Sequence, residues 1–393
     1  MKKKFSVIFI LLAFIMTISV LSGFTKSKVF ADTKNNELDV TAKSAYLADA
    51  YSGTVIFSHN EDEKLPIASM CKIMTLLLCF ESIDKGELSI DESITVSSNA
   101  AGMGGSQVFL EANANYSVGE LIKSITVASA NDACVAMAER ICGSESAFID
   151  RMNEKAEFLQ MNNTRFVNCT GLPKSGQYST AKDVFIMFSE LLKHDLYYKF
   201  SKIWTDKVTH PKDRVTEISN TNKLIRFYEG CDSGKTGYTS EAGHCLAASA
   251  IRNGLRLVSV IIASPDSKSR FKDVSSMFNY GFNNYTNKVL IDNKEPLDIV
   301  VEVCGGKKKT LEVIAENPFY VFSHKNEKRS VEVDFIPINK IIAPISIGEK
   351  IGELKIYENH VEIGSVNVLA NEDVYKKTYI DNIINIGENW ALT

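Results

Sequence analysis

Three short elements of this 393-residue chain carry residue types that do chemistry together: Ser69-Met70-Cys71-Lys72, Ser129-Ala130-Asn131 and Lys235-Thr236-Gly237. A serine hydroxyl is a weak nucleophile until a neighbouring base takes its proton, and lysine is such a base only if burial or a second cation lowers its pKa from about 10.4. Ser69 and Lys72 stand three residues apart at the start of an apolar run, so a helix there puts both side chains on one face. Its N-terminus would also aim backbone N–H groups at the site and favour negative charge. Lys235 is a candidate for the second cation, so that the two lysines differ in role by environment. On a strand, Lys235 and Gly237 face the same way, which sets a cation for a carboxylate beside a residue that lets a substrate backbone approach closely.

None of the three is specific alone. The SxxK spacing recurs at Ser82 and Ser269, and SxN recurs at Ser58, Ser97 and Ser365. Ser82 lies in the polar stretch Ser82-Ile83-Asp84-Lys85-Gly86, which reads as a helix exit. Ser269 sits among Lys268, Arg270 and Lys272, on what reads as a solvated helix face. The ordered set carries the information, because Lys235-Thr236-Gly237 occurs once in the chain.

The elements that must position these residues follow from periodicity and turn chemistry. Residues 45 to 57 alternate around Ser52-Gly53 and predict a hairpin. Pro66 opens a helix through Ile73 to Phe80 that is apolar on every side and must therefore be buried in a large core. Ser117-x-x-Glu120 is a capping box ahead of Leu121, Ile122 and Ile125. Residues 133 to 141, closed by Gly143, and residues 146 to 159 predict two more helices. Lys235-Thr236-Gly237 begins a strand ahead of two apolar runs, His244 to Ile251 and Leu255 to Ala263, joined by the type I′ dipeptide Asn253-Gly254. Residues 268 to 286 read as a helix. Strands at both ends with helices between predict an α+β domain, helices packed on a mostly antiparallel sheet. From about Leu297, short β-rich runs separated by Gly, Pro, Asn and Lys predict a small C-terminal all-β domain.

Composition sets outer bounds. With 45% hydrophobic and 23% charged residues, the chain buries a full core. Met1-Lys2-Lys3-Lys4, an apolar run from Phe5 to Leu21 and the exit Val29-Phe30-Ala31 read as a signal peptide over 1–31. The remaining spans are 32–292 for the catalytic domain, 293–375 for a β-sandwich-like domain and 376–393 for a tail. Cleavage removes five lysines and no acids, leaving an acidic protein, which argues against nucleic acid as a partner. Eight cysteines without a CxxC pair read mostly as buried free thiols, which in an exported protein suggests a reducing habitat. Six histidines without HxH or HExxH spacing predict no metal and no cofactor.

The chain resembles the low-molecular-mass penicillin-binding proteins that act as D-alanyl-D-alanine carboxypeptidases. The resemblance runs from about Ala45 to Asn284 and more weakly beyond. It rests on residues 66–75, Ser129 to Ala133, Asn168-Cys169-Thr170-Gly171-Leu172-Pro173 and Lys235 to Thr239; the SxxK, SDN and KTG set is itself a recognised mark of this group and of β-lactamases. It implies a β-lactamase/transpeptidase-like catalytic fold, export to the outer face of the cytoplasmic membrane and cell wall, and a part in peptidoglycan biosynthesis and cell shape. It also implies Ser69 as nucleophile on the D-alanyl-D-alanine carbonyl, Lys72 as base and Ser129 as proton relay. Asn131 would hold the peptide amide, Lys235 and Thr236 the terminal carboxylate, and the N–H groups of Ser69 and Tyr238, next to Gly237, the oxyanion. The implied partners are stem peptides ending in D-Ala-D-Ala and β-lactams as covalent inhibitors. Two positions depart from the family pattern: Cys71 stands where threonine is usual, and Gln177 where histidine is common. A β-lactamase of the kind that deacylates with a glutamate is disfavoured, since residues 162–168 contain no carboxylate. A D,D-endopeptidase and a non-catalytic wall-binding or penicillin-sensing protein stay open, as does peripheral membrane contact through Ile380, Ile383, Ile384 and Trp390.

Overall fold

Strand β1 (Ser44–Asp49) is buried at every position and alternates between two cores: Tyr46 and Ala48 face one, Ala45 and Leu47 the other. A strand dry on both faces must lie inside a covered sheet. The computed structural model describes residues 38–381 and places β1 second in a five-stranded antiparallel sheet, ordered β2-β1-β5-β4-β3. Here β2 is Val55–His59, β3 Cys231–Thr239, β4 Gly243–Arg252 and β5 Leu255–Ser264. The expected hairpins at Ser52-Gly53 and Asn253-Gly254 are both present, and Asn253 (φ 50°) and Gly254 (φ 78°) carry the positive angles of a type I′ turn. The segment 1–31 read as a signal peptide and residues 382–393 of the tail lie outside the described residues.

One face of the sheet carries the helices of the site. Helix α1 (Lys72–Asp84) is the apolar helix of the sequence, buried from Lys72 through Phe80. It starts later than Pro66 predicts, because Ala68 holds a left-handed φ of 47° and the chain makes a 3-10 turn over Ala68–Cys71 before the α-helix begins. Helix α2 (Val118–Ala128) is capped by Ser117, whose hydroxyl accepts from the Glu120 N–H at 3.1 Å, and α3 (Asn131–Cys142) and α4 (Glu145–Phe158) follow. Helix α5 (Ala181–Leu191) packs against α1. The other face is covered by α6 (Ser267–Asn284), whose Val274, Met277 and Phe278 meet Leu47, Leu246 and Leu257.

The β-rich C-terminal region is confirmed. Strand β6 (Tyr285–Ile291) pairs with β8 (Phe319–His324), and a four-stranded antiparallel sheet runs β7-β11-β10-β9, with β7 Val313–Ala315, β9 Val331–Pro337, β10 Lys350–Glu358 and β11 Val361–Ala370. It has its own core around Val313, Ile356 and Val368. Tyr51 stacks on Tyr320 at 4.9 Å, and Asn287 donates to the buried carboxylate of Asp49 at 3.2 Å, so β6 and β8 are fixed to the β1–β2 hairpin.

Candidate active site

The three elements meet between α1, the α2–α3 corner and β3. Ser69 sits half-buried in the 3-10 turn, and the Nζ of fully buried Lys72 donates to its hydroxyl at 3.0 Å. The second contact of that Nζ is the carbonyl of Thr170. Ser129 ends α2 with a left-handed φ of 60°, and Asn131 begins α3, so the SxN element is a tight corner that turns both side chains out of the helices. A non-glycine residue held there stores strain of about 1 kcal/mol or more, which surrounding structure must fix in place. Lys235, also fully buried, donates to the Ser129 hydroxyl at 2.8 Å and to the Thr236 carbonyl at 3.1 Å.

The site therefore holds two serine–lysine pairs, both lysines without an ion pair among the described residues. Burial first, and then the charge of Lys72, push the Lys235 ammonium well below its ordinary range. Each lysine holds a different hydroxyl, Lys72 that of Ser69 and Lys235 that of Ser129, and the charge of Lys72 disfavours a proton on Lys235. Lys235 thus stands where the sequence put it, as the cation beside the base, but the depression falls on Lys235 itself.

Asn131 lies against the 102–114 loop: its Nδ2 donates to the Gly104 carbonyl at 2.7 Å and its backbone N–H to the Ser106 carbonyl at 2.7 Å. Its Oδ1 is buried and finds no hydrogen-bond partner among the described residues, which makes it a ready acceptor for a substrate N–H. The neighbouring Asp132 carboxylate holds the same loop through the Val108 and Leu110 N–H groups at 3.1 Å and 3.0 Å.

Strand β3 begins four residues before Lys235, so the Lys235-Thr236-Gly237 element is mid-strand and not at a strand start. Gly237 has a physical reason for its identity. A methyl group on its Cα would come to 2.6 Å of the Ile67 carbonyl oxygen and 3.2 Å of the Ser69 nitrogen. The close approach it permits is first of all that of the protein's own Ala68–Cys71 turn, so the backbone from Gly237 into Tyr238 runs alongside Ser69. Thr236 is buried, while Tyr238 is 58% exposed and stacks on His244 at 4.4 Å.

Sequence reasoning missed the supports. Arg270, read as part of a solvated face, is buried: it donates to the Gly237 and Cys245 carbonyls at 3.2 Å and 3.3 Å, and its Nε is unpartnered. Burial pushes its guanidinium down, and no acidic side chain pairs with it among the described residues. The helical spacing of Arg270, Val274, Met277 and Phe278 on one face was the available signal. The Asn168–Leu172 turn is a second support, with no signal in its side-chain pattern for the part it plays. Cys71 donates to the Asn168 carbonyl at 3.4 Å and Thr75 to the Cys169 carbonyl at 2.8 Å, which clamps that turn onto α1. Burial raises the Cys71 thiol to about 12, so it acts as a neutral donor and not as a rival nucleophile. The SxxK copies elsewhere have structural places: Ser82 is buried and accepts from Arg151, Ser269 bonds Asp266 at the start of α6, and a further copy, Ser179-Thr180-Ala181-Lys182, has Ser179 buried against the Thr164 hydroxyl at 2.7 Å. No cluster of three metal-ligating side chains occurs among the described residues.

Comparison with known proteins agrees with this geometry. Residues 31–266 match the family of D-alanyl-D-alanine carboxypeptidases and residues 285–376 the C-terminal domain of penicillin-binding protein 5. The chain is 38% identical to the D-alanyl-D-alanine carboxypeptidase DacF of Bacillus subtilis, over 91% of this chain and 92% of that one. Penicillin-binding protein 5 of Haemophilus influenzae superposes with a TM-score of 0.66 at 27% identity, covering 87% of this chain and all of the other. The carboxypeptidase DacD of Francisella tularensis gives 0.64 at 28% identity, covering 90% of this chain and 100% of that one.

Proposed function

This chain belongs to the D-alanyl-D-alanine carboxypeptidase family of peptidases, and from that premise we propose that it removes the terminal D-alanine of peptidoglycan stem peptides through an acyl-enzyme on Ser69. The observation that carries the reading is the pair of buried contacts, Lys72 to Ser69 at 3.0 Å and Lys235 to Ser129 at 2.8 Å. Lys72 takes the Ser69 proton as Oγ attacks the carbonyl between the two D-alanines. The developing oxyanion is received by the N–H groups of Ser69 and Tyr238, which Gly237 brings together. The proton taken by Lys72 is relayed through Ser129, held by Lys235, to the leaving amine, which restores the Lys72 amine and the Ser129 hydroxyl, and water then releases the shortened peptide.

Substrate binding follows from the unpaired groups. The orphaned Asn131 Oδ1 takes the peptide N–H. Lys235 and Thr236 take the terminal carboxylate, whose negative charge draws a proton back onto Lys235, with Arg270 as a cation beneath β3 that has no acidic partner among the described residues. A β-lactam presents a strained amide and a carboxylate in the same arrangement, so it acylates Ser69 as well. The chemistry needs no cofactor or metal. We place the enzyme outside the cytoplasmic membrane, where its substrate is; support for this is the N-terminal segment 1–31, and the tail 376–393 is the segment through which it would touch the membrane surface. No helix among the described residues is long and apolar enough to cross a membrane.

The test is covalent labelling with a fluorescent penicillin together with D-alanine release from a D-Ala-D-Ala-terminated peptide, each compared with Ser69→Ala. Label and release both vanish in the variant if the reading holds. Labelling without release points to an endopeptidase or a sensor, and no labelling of the parent protein removes the assignment.

A further inference from the structure

We propose that Gln177 is a positioning residue for the second half of the reaction: it holds the Asn168–Leu172 turn so that Lys72 stays aimed after Ser69 has been acylated. The inference rests on the roles given above to Ser69 and Lys72. In the free enzyme the Lys72 Nζ has two acceptors, the Ser69 hydroxyl at 3.0 Å and the Thr170 carbonyl. Acylation converts Oγ into an ester oxygen, a much poorer acceptor. The Thr170 carbonyl is then the contact that fixes the amine where it must receive the proton of the hydrolytic water. In that step the water oxygen bonds the ester carbonyl carbon, its proton passes to Nζ, the C–Oγ bond breaks and the proton returns to Ser69 Oγ. Nothing is oxidised or reduced, and water is the sole co-reactant.

What fixes the Thr170 carbonyl is a small network. The Asn168 carboxamide oxygen accepts from the Gly171 N–H at 2.7 Å and the Thr170 N–H at 3.2 Å, and its Nδ2 donates to the Leu172 carbonyl at 2.9 Å. Asn168 thereby closes the turn on itself. Its own orientation is set from outside the turn by Gln177, where the chain returns from the exposed excursion 173–176. The Gln177 Oε1 accepts from the Val167 and Asn168 N–H groups at 3.0 Å and 3.1 Å, and Nε2 donates to the Asn168 Oδ1 at 3.4 Å. Three contacts from one amide thus run through Asn168 and Thr170 to the catalytic amine. Before acylation the Ser69 contact partly substitutes for them; afterwards it does not. Loss of Gln177 is therefore felt in deacylation more than in acylation.

Two variants separate this from a merely structural role. Gln177→Leu removes all three contacts, and Gln177→Glu still accepts from both backbone N–H groups while losing the donation to Asn168. Penicillin labelling gives the acylation rate, and loss of label after removing free drug gives the deacylation rate. For Gln177→Leu we expect deacylation slowed by about tenfold and acylation changed by less than about threefold, with Gln177→Glu between it and the parent. With the peptide substrate, kcat and KM fall together and kcat/KM holds, as when acyl-enzyme accumulates. Equal slowing of both steps, or no slowing of either, would overturn the proposal; should the leucine variant fail to fold, the glutamate variant carries the same test. If Ser69→Ala still takes label, the catalytic reading itself has failed, whereas an unlabelled Ser69→Ala beside an unaltered Gln177→Leu sinks this inference alone.

Discussion

Lys235 shows how much a single side chain in this site is asked to do. It is fully buried, bonded to a serine hydroxyl and a backbone carbonyl, and faces another buried lysine. Its lowered pKa is a statement about stability as well as about substrate binding. Between that lowered value and the ordinary lysine value of about 10.4, the unfolded chain carries a proton at this position that the folded chain does not. Stability must then rise with pH across that window and fall as pH drops through the folded value, by at most about 1.4 kcal/mol per pH unit. Removing the amine removes the slope. Urea unfolding of the parent and of Lys235→Met, followed from neutral pH up toward the ordinary lysine value, should show the parent gaining more stability with pH. Identical slopes would mean that Lys235 keeps its proton in the folded state. Asn131 makes the complementary point: its buried Oδ1, without a partner among the described residues, costs about 1 to 3 kcal/mol.

At the scale of elements, the site is a meeting of backbones as much as of side chains, and Gly171 tests this. With φ at 78°, a methyl there would fall 2.1 Å from the Ala68 carbonyl oxygen and 2.8 Å from the Ser69 nitrogen. Gly171→Ala must push the Asn168–Leu172 turn off the Ala68–Ser69 backbone, at a cost of roughly 3 kcal/mol from overpacking and left-handed strain. We expect penicillin acylation to drop by about a hundredfold or more. Gly254→Ala is the control: its φ is also 78°, but nothing lies within 4 Å, so it should lose only about 1 kcal/mol of stability and no acylation rate. The same contrast explains what the sequence revealed. The Asn253-Gly254 hairpin and the helices closed by Gly143 or opened by Ser117 were legible because turn and cap chemistry is local. Strand β3 was only half legible, since Asp232 and Gly234 break its pattern; Asp232 is tolerated inside because Arg256 pairs with it at 2.9 Å. The pairing of β6 with β8 spans some thirty residues and leaves no local mark. The proposed site residues were legible because they belong to recognisable sequence motifs. Thr170 was not, because what it contributes is a carbonyl, which every residue has.

The molecule as a whole is held by its cores, not by covalent staples, and its eight cysteines record this. All eight are free; Cys71, Cys79, Cys134, Cys169, Cys231 and Cys245 are buried, while Cys142 and Cys304 are partly exposed. The Cys134 and Cys231 thiols are pushed up to about 12 and Cys245 to about 11, in each case first by burial. An unfolded thiol ionises near 8.5, so above that pH the unfolded state sheds protons that the folded state keeps. The sign is opposite to that of Lys235: stability falls as pH rises from about 8.5 toward the folded values, each buried thiol contributing up to about 1.4 kcal/mol per pH unit. The same burial controls reactivity, because only the thiolate attacks and it must be reached. A thiol reagent added to the native protein at pH 8 should titrate two groups quickly and the other six only as fast as the protein unfolds, with all eight reacting in denaturant. Denaturant midpoints should decline from pH 8.5 to 10, and replacing Cys134 by alanine should flatten that decline. More than two fast thiols in the native protein, or fewer than eight in denaturant, would show that the core is open or that some of these cysteines are bonded to one another.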